Sequence, residues 1–264
     1  MHNAALRYCH LEGSYDLLDI EPADLEREVQ QLKLKGYMGF NVTIPHKDAI
    51  FRMASAHTKE AAQAQASNTV KFLTDGSMLA HNTDIEGFKE ALDELITFQE
   101  GDAACVIGTG GAARAALLAL SDFGFKTISI LSRDAARASA FAQSMSSVLP
   151  EETKLIPAHW NDFTATRQGV IVNSTPMGQN AVPVADWMDT FLSKLADDVL
   201  FFDMVYSRTN SDTPLVALAK SKGLQAVDGA EMLIRQAHKA FLFWTGESPP
   251  VEIFRTAFEQ CKTP

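Results

Sequence analysis

Helix-like and strand-like segments alternate along this 264-residue chain, each set off by glycine, proline or a short polar turn. In the first third, helices are predicted over Ala4 to Leu11, Pro22 to Lys35 and Lys59 to Gln65, with Gly36 as the stop signal of the second. Extended segments are predicted over Tyr15 to Ile20, Met38 to Thr43, Ser67 to Leu73 and Met78 to His81. Pro45 breaks the second of these, and the Asp75-Gly76 pair marks a hairpin between the last two. Asp84 is placed to N-cap a helix running through Leu95, and Gln99-Glu100-Gly101-Asp102 reads as the turn after it.

From there the alternation becomes regular. A buried strand, Ala103 to Ile107, precedes an amphipathic helix, Ala112 to Phe123, that ends at Gly124. Then come strand Thr127 to Leu131, helix Ala135 to Met145, and strands Val170 to Asn173 and Val199 to Asp203. Helix Thr213 to Lys222 and strand Leu224 to Val227 complete the series. Strands separated by helices at these lengths mean a parallel sheet with right-handed crossovers. Two helices, Ala230 to Trp244 and Val251 to Cys261, finish the chain. The expected class is α/β: a substrate domain over 1–86, a doubly wound nucleotide domain over 87–228, and C-terminal helices over 229–264 that return to the first domain. Such a layout leaves a cleft between domains, where ligands usually bind.

Composition narrows the class. With 46% hydrophobic and 21% charged residues the chain is neither fibrous nor disordered in character. A net charge of −10 argues against a broad nucleic-acid surface, which demands clustered Lys and Arg. No apolar run is long enough to span a bilayer, and no basic-plus-apolar leader opens the chain. Cys9, Cys105 and Cys261 are odd in number and far apart, without disulfide or metal spacing. The expectation is a cytoplasmic protein with no metal, nucleic-acid or membrane partner.

Chemistry enters at Ala104 to Arg114, a strand followed by a G-x-G-x-x-A turn and a small-residue helix start. Gly108 makes the tight turn, Gly110 lets a pyrophosphate approach bare backbone, and Ala113 brings the helix close to the sheet. The helix N-terminus offers free N–H groups to the phosphates, so the run reads as a dinucleotide site. Several polar islands lie at strand ends: Asn41 to Lys47, Ser67-Asn68-Thr69 and His81-Asn82-Thr83-Asp84. Gln236 interrupts a mostly apolar helix beside Met232, Leu233 and Ala240. Each has a bland explanation alone: Lys47 a solvated helix start, Asp84 a cap, Asn68 a turn residue, Gln236 a wet helix face. Their joint occurrence beside a dinucleotide motif points to a site.

On these residues the chain resembles the shikimate dehydrogenase family from Met1 to about Gly246. The matching pieces are Met1-His2-Asn3, NVTIPHK over 41–47, ASNT over 66–69, NTD over 82–84 and GTGGAAR over 108–114. Asn173 to Gly178, DMVY over 203–206, Thr213-Pro214-Leu215, and Met232 to Gln236 with Ala240-Phe241 corroborate them. The resemblance implies a Rossmann-type second domain and reversible oxidation of the C3 hydroxyl of a cyclohexene carboxylate, with hydride passing to a nicotinamide. It implies Lys47 and Asp84 as the catalytic pair. Losing a hydride is easier as the hydroxyl proton leaves, so a base must sit within reach, and a lysine serves if desolvation lowers its pKa. Asn41, Thr43, Asn68, Asn82, Tyr206 and Gln236 are implied substrate contacts. Gly108, Thr109, Gly110, Gly111 and Ala112 are implied for the cofactor, with Asn173, Thr175, Met177, Val205, Gly229 and Met232 around its nicotinamide end. Ser132, Arg133, Asp134 and Arg137 follow the second strand of the nucleotide domain. The two arginines suit the 2′-phosphate of NADP, whereas Asp134 either accepts from the ribose diol of NAD or merely caps a helix. NADP is expected, with NAD left open.

The match departs in three places. Family members carry a first strand and a Ser-x-Ser-Pro segment, whose hydroxyls bind the substrate carboxylate, immediately before the point Met1 occupies. The expectation is that this numbering begins at an internal methionine; otherwise the ligand is bound differently. Glu231 stands where most members have glycine near the nicotinamide, and Gln65 where glycine precedes Ala66. Both hint at a divergent subgroup, leaving quinate or an amino analogue as alternative substrates. A ligand-binding homologue without turnover also stays open, as does a dehydrogenase of a folate derivative, although the polar set suits a polyhydroxylated ring better than a flat pterin. Monomer and homodimer are both compatible with the sequence.

Overall fold

A computed structural model describes residues 1–96, 102–163, 168–179, 182–196 and 198–262. Its elements begin with α1 (His2–Tyr8), α2 (Leu25–Leu34), β1 (Gly39–Asn41), α3 (Lys47–Met53), β2 (Ala56–His57), α4 (Lys59–Ala64), β3 (Thr69–Phe72), β4 (Met78–His81) and α5 (Thr83–Asp93). They continue with β5 (Ala103–Ile107), α6 (Gly111–Phe123), β6 (Thr127–Ser132), α7 (Ala135–Ser146), β7 (Lys154–His159) and β8 (Gln168–Asn173). The last are α8 (Trp187–Leu192), β9 (Leu200–Asp203), α9 (Pro214–Ser221), β10 (Gln225–Val227), α10 (Ala230–Thr245) and α11 (Val251–Glu259). The chain divides into two compact units: Met1–Gly87 with Ile234–Cys261, and Phe88–Leu233.

In the first unit the strand order is β1-β3-β4-β2, antiparallel at β1–β3 and β3–β4 and parallel at β2–β4. Leu25 and Val29 of α2, Ile50 of α3 and Val70 of β3 form one buried cluster on it. The C-terminal helices pack here as well. Trp244 Nε1 donates to Val70 O at 2.8 Å, and Lys71 Nζ donates to the Phe243 and Trp244 carbonyls at 3.2 and 2.8 Å. A lysine from β3 thus satisfies carbonyls in the last turn of α10, where the helix dipole also favours a cation.

The extended segment Tyr15 to Ile20 forms no strand, because no neighbouring strand pairs with it and an unpaired backbone gains nothing from regular extension. Side chains anchor it instead: Tyr15 N donates to Asn3 Oδ1 at 2.7 Å, and the His46 ring meets Ile20 O at 2.8 Å. Leu17 is 94% exposed. Two elements had no sequence signal strong enough to predict them, α3 and the two-residue β2. Asp84 is not the N-cap of α5. The helix starts at Thr83, and Asn82 Oδ1 accepts the Asp84 N–H at 3.1 Å.

The second unit holds six parallel strands in the order β10-β9-β8-β5-β6-β7. That order reverses between β5 and β8, the switch point at which open α/β sheets bind ligands. Leu131, Ile171, Phe201, Leu215 and Val216 are among the residues of its core. Two elements here were not predicted, β7 and the six-residue α8. β7 contains Pro157, which a strand tolerates at the sheet edge that β7 occupies. The turn expected over Gln99-Glu100-Gly101-Asp102 falls mostly outside the described residues. No helix among the described residues is long and apolar enough to cross a membrane, and none of their acidic, His and Cys side chains cluster as a metal site.

Candidate active site

In the first unit, three chain segments converge on one carboxylate. Lys47 opens α3, directly after the run Asn41 to His46 in which the Ile44–Pro45 peptide is cis. Asp84 lies in the first turn of α5, where the helix dipole favours a negative charge. Lys47 Nζ donates to Asp84 Oδ2 at 2.5 Å, and Asn68 Nδ2 donates to Asp84 Oδ1 at 2.8 Å. Both carboxylate oxygens are therefore occupied. This matters because Asp84 is only 7% exposed, and a buried carboxylate is costly unless paired and hydrogen-bonded. The Lys47 side chain keeps 18% of its surface exposed.

Asn68 is the hub. Its Oδ1 accepts from Thr83 N at 2.8 Å and Thr69 Oγ1 at 3.0 Å, while its Nδ2 also lies 2.9 Å from Thr83 Oγ1 and 3.2 Å from Gln236 Oε1. Gln236, more than 150 residues away in sequence, is brought in by α10, and its Oε1 also accepts from Thr83 Oγ1 at 3.2 Å. Lys47, Asn68, Asp84 and Gln236, expected from the sequence, thus meet in one network. Thr83 joins them unannounced, although its place in NTD was the available signal.

Other expected substrate contacts are placed differently. Asn82 is buried, with Nδ2 donating to Ala66 O at 2.9 Å and Oδ1 capping α5, so both ends of its amide serve the fold. Asn41 donates to Asn68 O and Thr69 Oγ1 and accepts from Tyr15 Oη at 3.0 Å. Nothing in the sequence pattern marked Tyr15 for that role. Thr43 is exposed. Tyr206 lies in the second unit, its hydroxyl 3.5 Å from Arg208 Nη2. Gln65 ends α4 at φ 49°, a left-handed conformation that glycine adopts without strain, which is the physical reason a glycine suits this position.

The expected cofactor residues fall in the second unit, at or just beyond the C-terminal ends of β5, β6, β8, β9 and β10. Gly108 leaves β5 at φ 120°, and a Cβ there would strike Ser174 Oγ. Ser174 in turn donates from both N and Oγ to Ile107 O, joining the ends of β5 and β8. Gly110 and Gly111 differ: a Cβ on either meets nothing within 4 Å. No neighbour within the unit demands glycine there, and Gly110, the N-cap of α6, supplies no side-chain cap to the first N–H groups. Bare backbone, open space and uncapped donors at a helix start suit a pyrophosphate. Thr109 and Ala112 flank the turn and are partly exposed.

At the end of β6, Asp134 Oδ1 accepts from Ala136 N at 2.9 Å and Arg137 N at 3.2 Å, and Ser132 Oγ accepts from Asp134 N. The carboxylate therefore caps α7, and Arg133 and Arg137 stand exposed on either side. Asn173 is wholly buried: Nδ2 donates to Asp203 Oδ1 at 2.8 Å and Oδ1 accepts from Thr175 N and Oγ1. Its side chain shapes the loop that carries Thr175 and Met177. Asp203 also accepts from Thr213 Oγ1 and Val205 N, and burial raises its pKa to about 6. A Cβ at Gly229 would strike the Met204 carbonyl, so close backbone packing requires that glycine. Met232 is buried in the first turns of α10, and Glu231 beside it suits the helix's positive end.

Comparison with known proteins identifies what the chain is similar to. Residues 1–70 match the family model described as the shikimate dehydrogenase substrate binding domain. A shikimate dehydrogenase (NADP(+)) of Magnetococcus marinus is 35% identical over 264 residues, covering 98% of this chain and 90% of that protein. A crystal structure of a shikimate dehydrogenase with NADP+ superposes at TM-score 0.86 with 31% identity, covering 100% of this chain and 90% of that one. A Listeria monocytogenes shikimate 5-dehydrogenase in complex with shikimate and NAD superposes at TM-score 0.83 with 26% identity, over 97% and 89% of the two chains.

Proposed function

The chain belongs to the shikimate dehydrogenase family, and we propose from that premise that Lys47 and Asp84 are the pair through which it interconverts shikimate and 3-dehydroshikimate. The single observation that carries the assignment is the direct Lys47–Asp84 bond, with Asn68 on the second carboxylate oxygen. In the oxidation direction the substrate hydroxyl gives its proton to the Lys47 amine. The hydride that leaves the same carbon would need an acceptor, which the nicotinamide of NADP+ would supply when bound. Asp84 Oδ2 steadies the resulting ammonium, and in the reverse direction that ammonium donates to the ketone oxygen and returns the proton. Asn68 keeps Asp84 aimed, and Gln236 and Thr83 hold neighbouring hydroxyls. A ring lacking these hydroxyls would leave buried polar groups unpaired, which is a strong basis for selection.

We assign the substrate to the first unit and the dinucleotide to the second. There the open backbone of Gly110 and Gly111 and the first turn of α6 take the pyrophosphate, and Arg133 and Arg137 take the 2′-phosphate of NADP. Asp134, engaged in capping α7, is a helix cap in this reading rather than a ribose ligand. Shikimate is preferred to quinate, an amino analogue or a folate derivative because the relatives named above are shikimate dehydrogenases. We place the protein in the cytoplasm, as a monomer or homodimer, with no nucleic-acid or membrane partner.

The test is shikimate-dependent formation of reduced nicotinamide in wild type and Lys47→Ala. Wild type turns over with NADP+, and the variant loses at least about a hundredfold in kcat. Turnover undiminished in Lys47→Ala would remove the proposed base.

A further inference from the structure

Beyond the site, the first turn of α5 and the middle of α10 meet in two rungs. The first is Thr83 Oγ1 to Gln236 Oε1 at 3.2 Å. The second lies three residues further along each helix, where Glu86 Oε1 is 3.8 Å from Lys239 Nζ. Residues three apart share a helix face, so the second rung repeats the alignment of the first. It lies outside the substrate network yet fixes the same two helix turns relative to each other.

Glu86 is itself held. His81, the last residue of β4, places Nε2 3.2 Å from Glu86 Oε2 and Nδ1 2.8 Å from Thr58 Oγ1, and its ring stacks on Phe243 of α10 at 4.8 Å. Glu60 Oε2 lies 3.6 Å from His81 Nδ1. The hydrogen bond from His81 is the main cause, with the Lys239 charge adding to it, that holds the Glu86 carboxyl below the usual glutamate range. Glu86 is therefore a charged carboxylate, half-buried and oriented from both sides.

We propose that Glu86 and Lys239, steadied by His81, are positioning residues that hold Gln236 in register with Thr83 and Asn68 for binding shikimate. The proposal rests on the assignment of Gln236 to the substrate. The pair touches neither Lys47 nor Asp84, so its loss weakens substrate binding while leaving the proton transfer in place. Misplacement of a binding group by a fraction of an ångström to about 1 Å costs up to about a hundredfold, and a partial loosening costs less.

Steady-state kinetics on Glu86→Ala, Lys239→Met, Lys239→Arg, Gln236→Ala and the Glu86→Ala/Gln236→Ala double variant test this. Glu86→Ala and Lys239→Met are each expected to raise the KM for shikimate about tenfold, with kcat within about threefold and the KM for NADP+ within about twofold of wild type. Lys239→Arg, which keeps the ion pair, restores the shikimate KM. Adding Glu86→Ala to Gln236→Ala raises it no further, since the clasp acts through Gln236. An unchanged shikimate KM in both single variants overturns the proposal. So does a parallel rise in both KM values, which a general loosening of the fold would produce, or a full additional effect in the double variant. Should Gln236→Ala itself leave the shikimate KM unchanged, the assignment of Gln236 fails, a result distinct from failure of the clasp.

Discussion

At the scale of single residues, two side chains sit where elementary chemistry predicts a cost. Gln65 occupies left-handed backbone, which costs a side-chain-bearing residue about 1 kcal/mol more than glycine. Gln65→Gly is expected to raise the unfolding free energy of the first unit by up to about 1 kcal/mol, read from the urea midpoint. Asp203 is the other. Its folded pKa of about 6 lies above its ordinary value of 3.8. Between about pH 4 and 6 the folded chain therefore holds a proton that the unfolded chain has released. Stability of the second unit falls as pH rises through that window. Asp203→Asn, which cannot titrate, should flatten this dependence, and an equal slope in the variant would show that Asp203 is not its source. His2 works in the opposite sense, for burial lowers its pKa to about 3. The unfolded chain then takes the extra proton on acidification below about pH 6.5, and the first unit loses stability there.

At the scale of elements, the strand-turn-helix at β5 and α6 separates two kinds of glycine. Gly108 is required by its positive φ and by Ser174, so Gly108→Ala should destabilise the fold. Gly110 has ordinary φ and open space beyond its Cα, so Gly110→Ala should fold with unchanged melting temperature. The added methyl nonetheless projects into the open space to which we assign the pyrophosphate, and calorimetry should find NADP+ binding weakened about tenfold or more. Sequence patterns located β5, α6, β6 and β9 to within a residue or so, because buried parallel strands and amphipathic helices carry strong periodicity. The same reasoning missed β2 and α8, which are too short to show a period, and β7, whose proline looks like a breaker except at an edge. It also made a strand of Tyr15 to Ile20, since residue preference cannot report whether a partner strand is present.

At the scale of the whole molecule, the first unit is assembled from distant parts of the chain. Phe254 of α11 is fully buried and packs its ring against His2, His238 and Phe241. Phe254→Ala should cost about 3–5 kcal/mol in the first unit, while NADP+ binding, which we assign to the second, keeps its wild-type affinity. A matching loss of nucleotide affinity would contradict that division of labour.

By itself the sequence determined the α/β class, the glycine turn at the end of β5, and the residue types gathered at strand ends, because periodicity and turn chemistry are local properties. Only the tertiary structure decided which of those polar residues face one another. Asn68, Asn82 and Asn41 look alike in sequence, yet one is the hub of the Lys47–Asp84 network, one caps α5, and one braces Tyr15. Gln236 and Lys239 acquire their partners only when α10 is laid beside α5. An amide binds whatever donor or acceptor the fold brings within about 3 Å, and that distance is set by packing far along the chain rather than by neighbours in sequence.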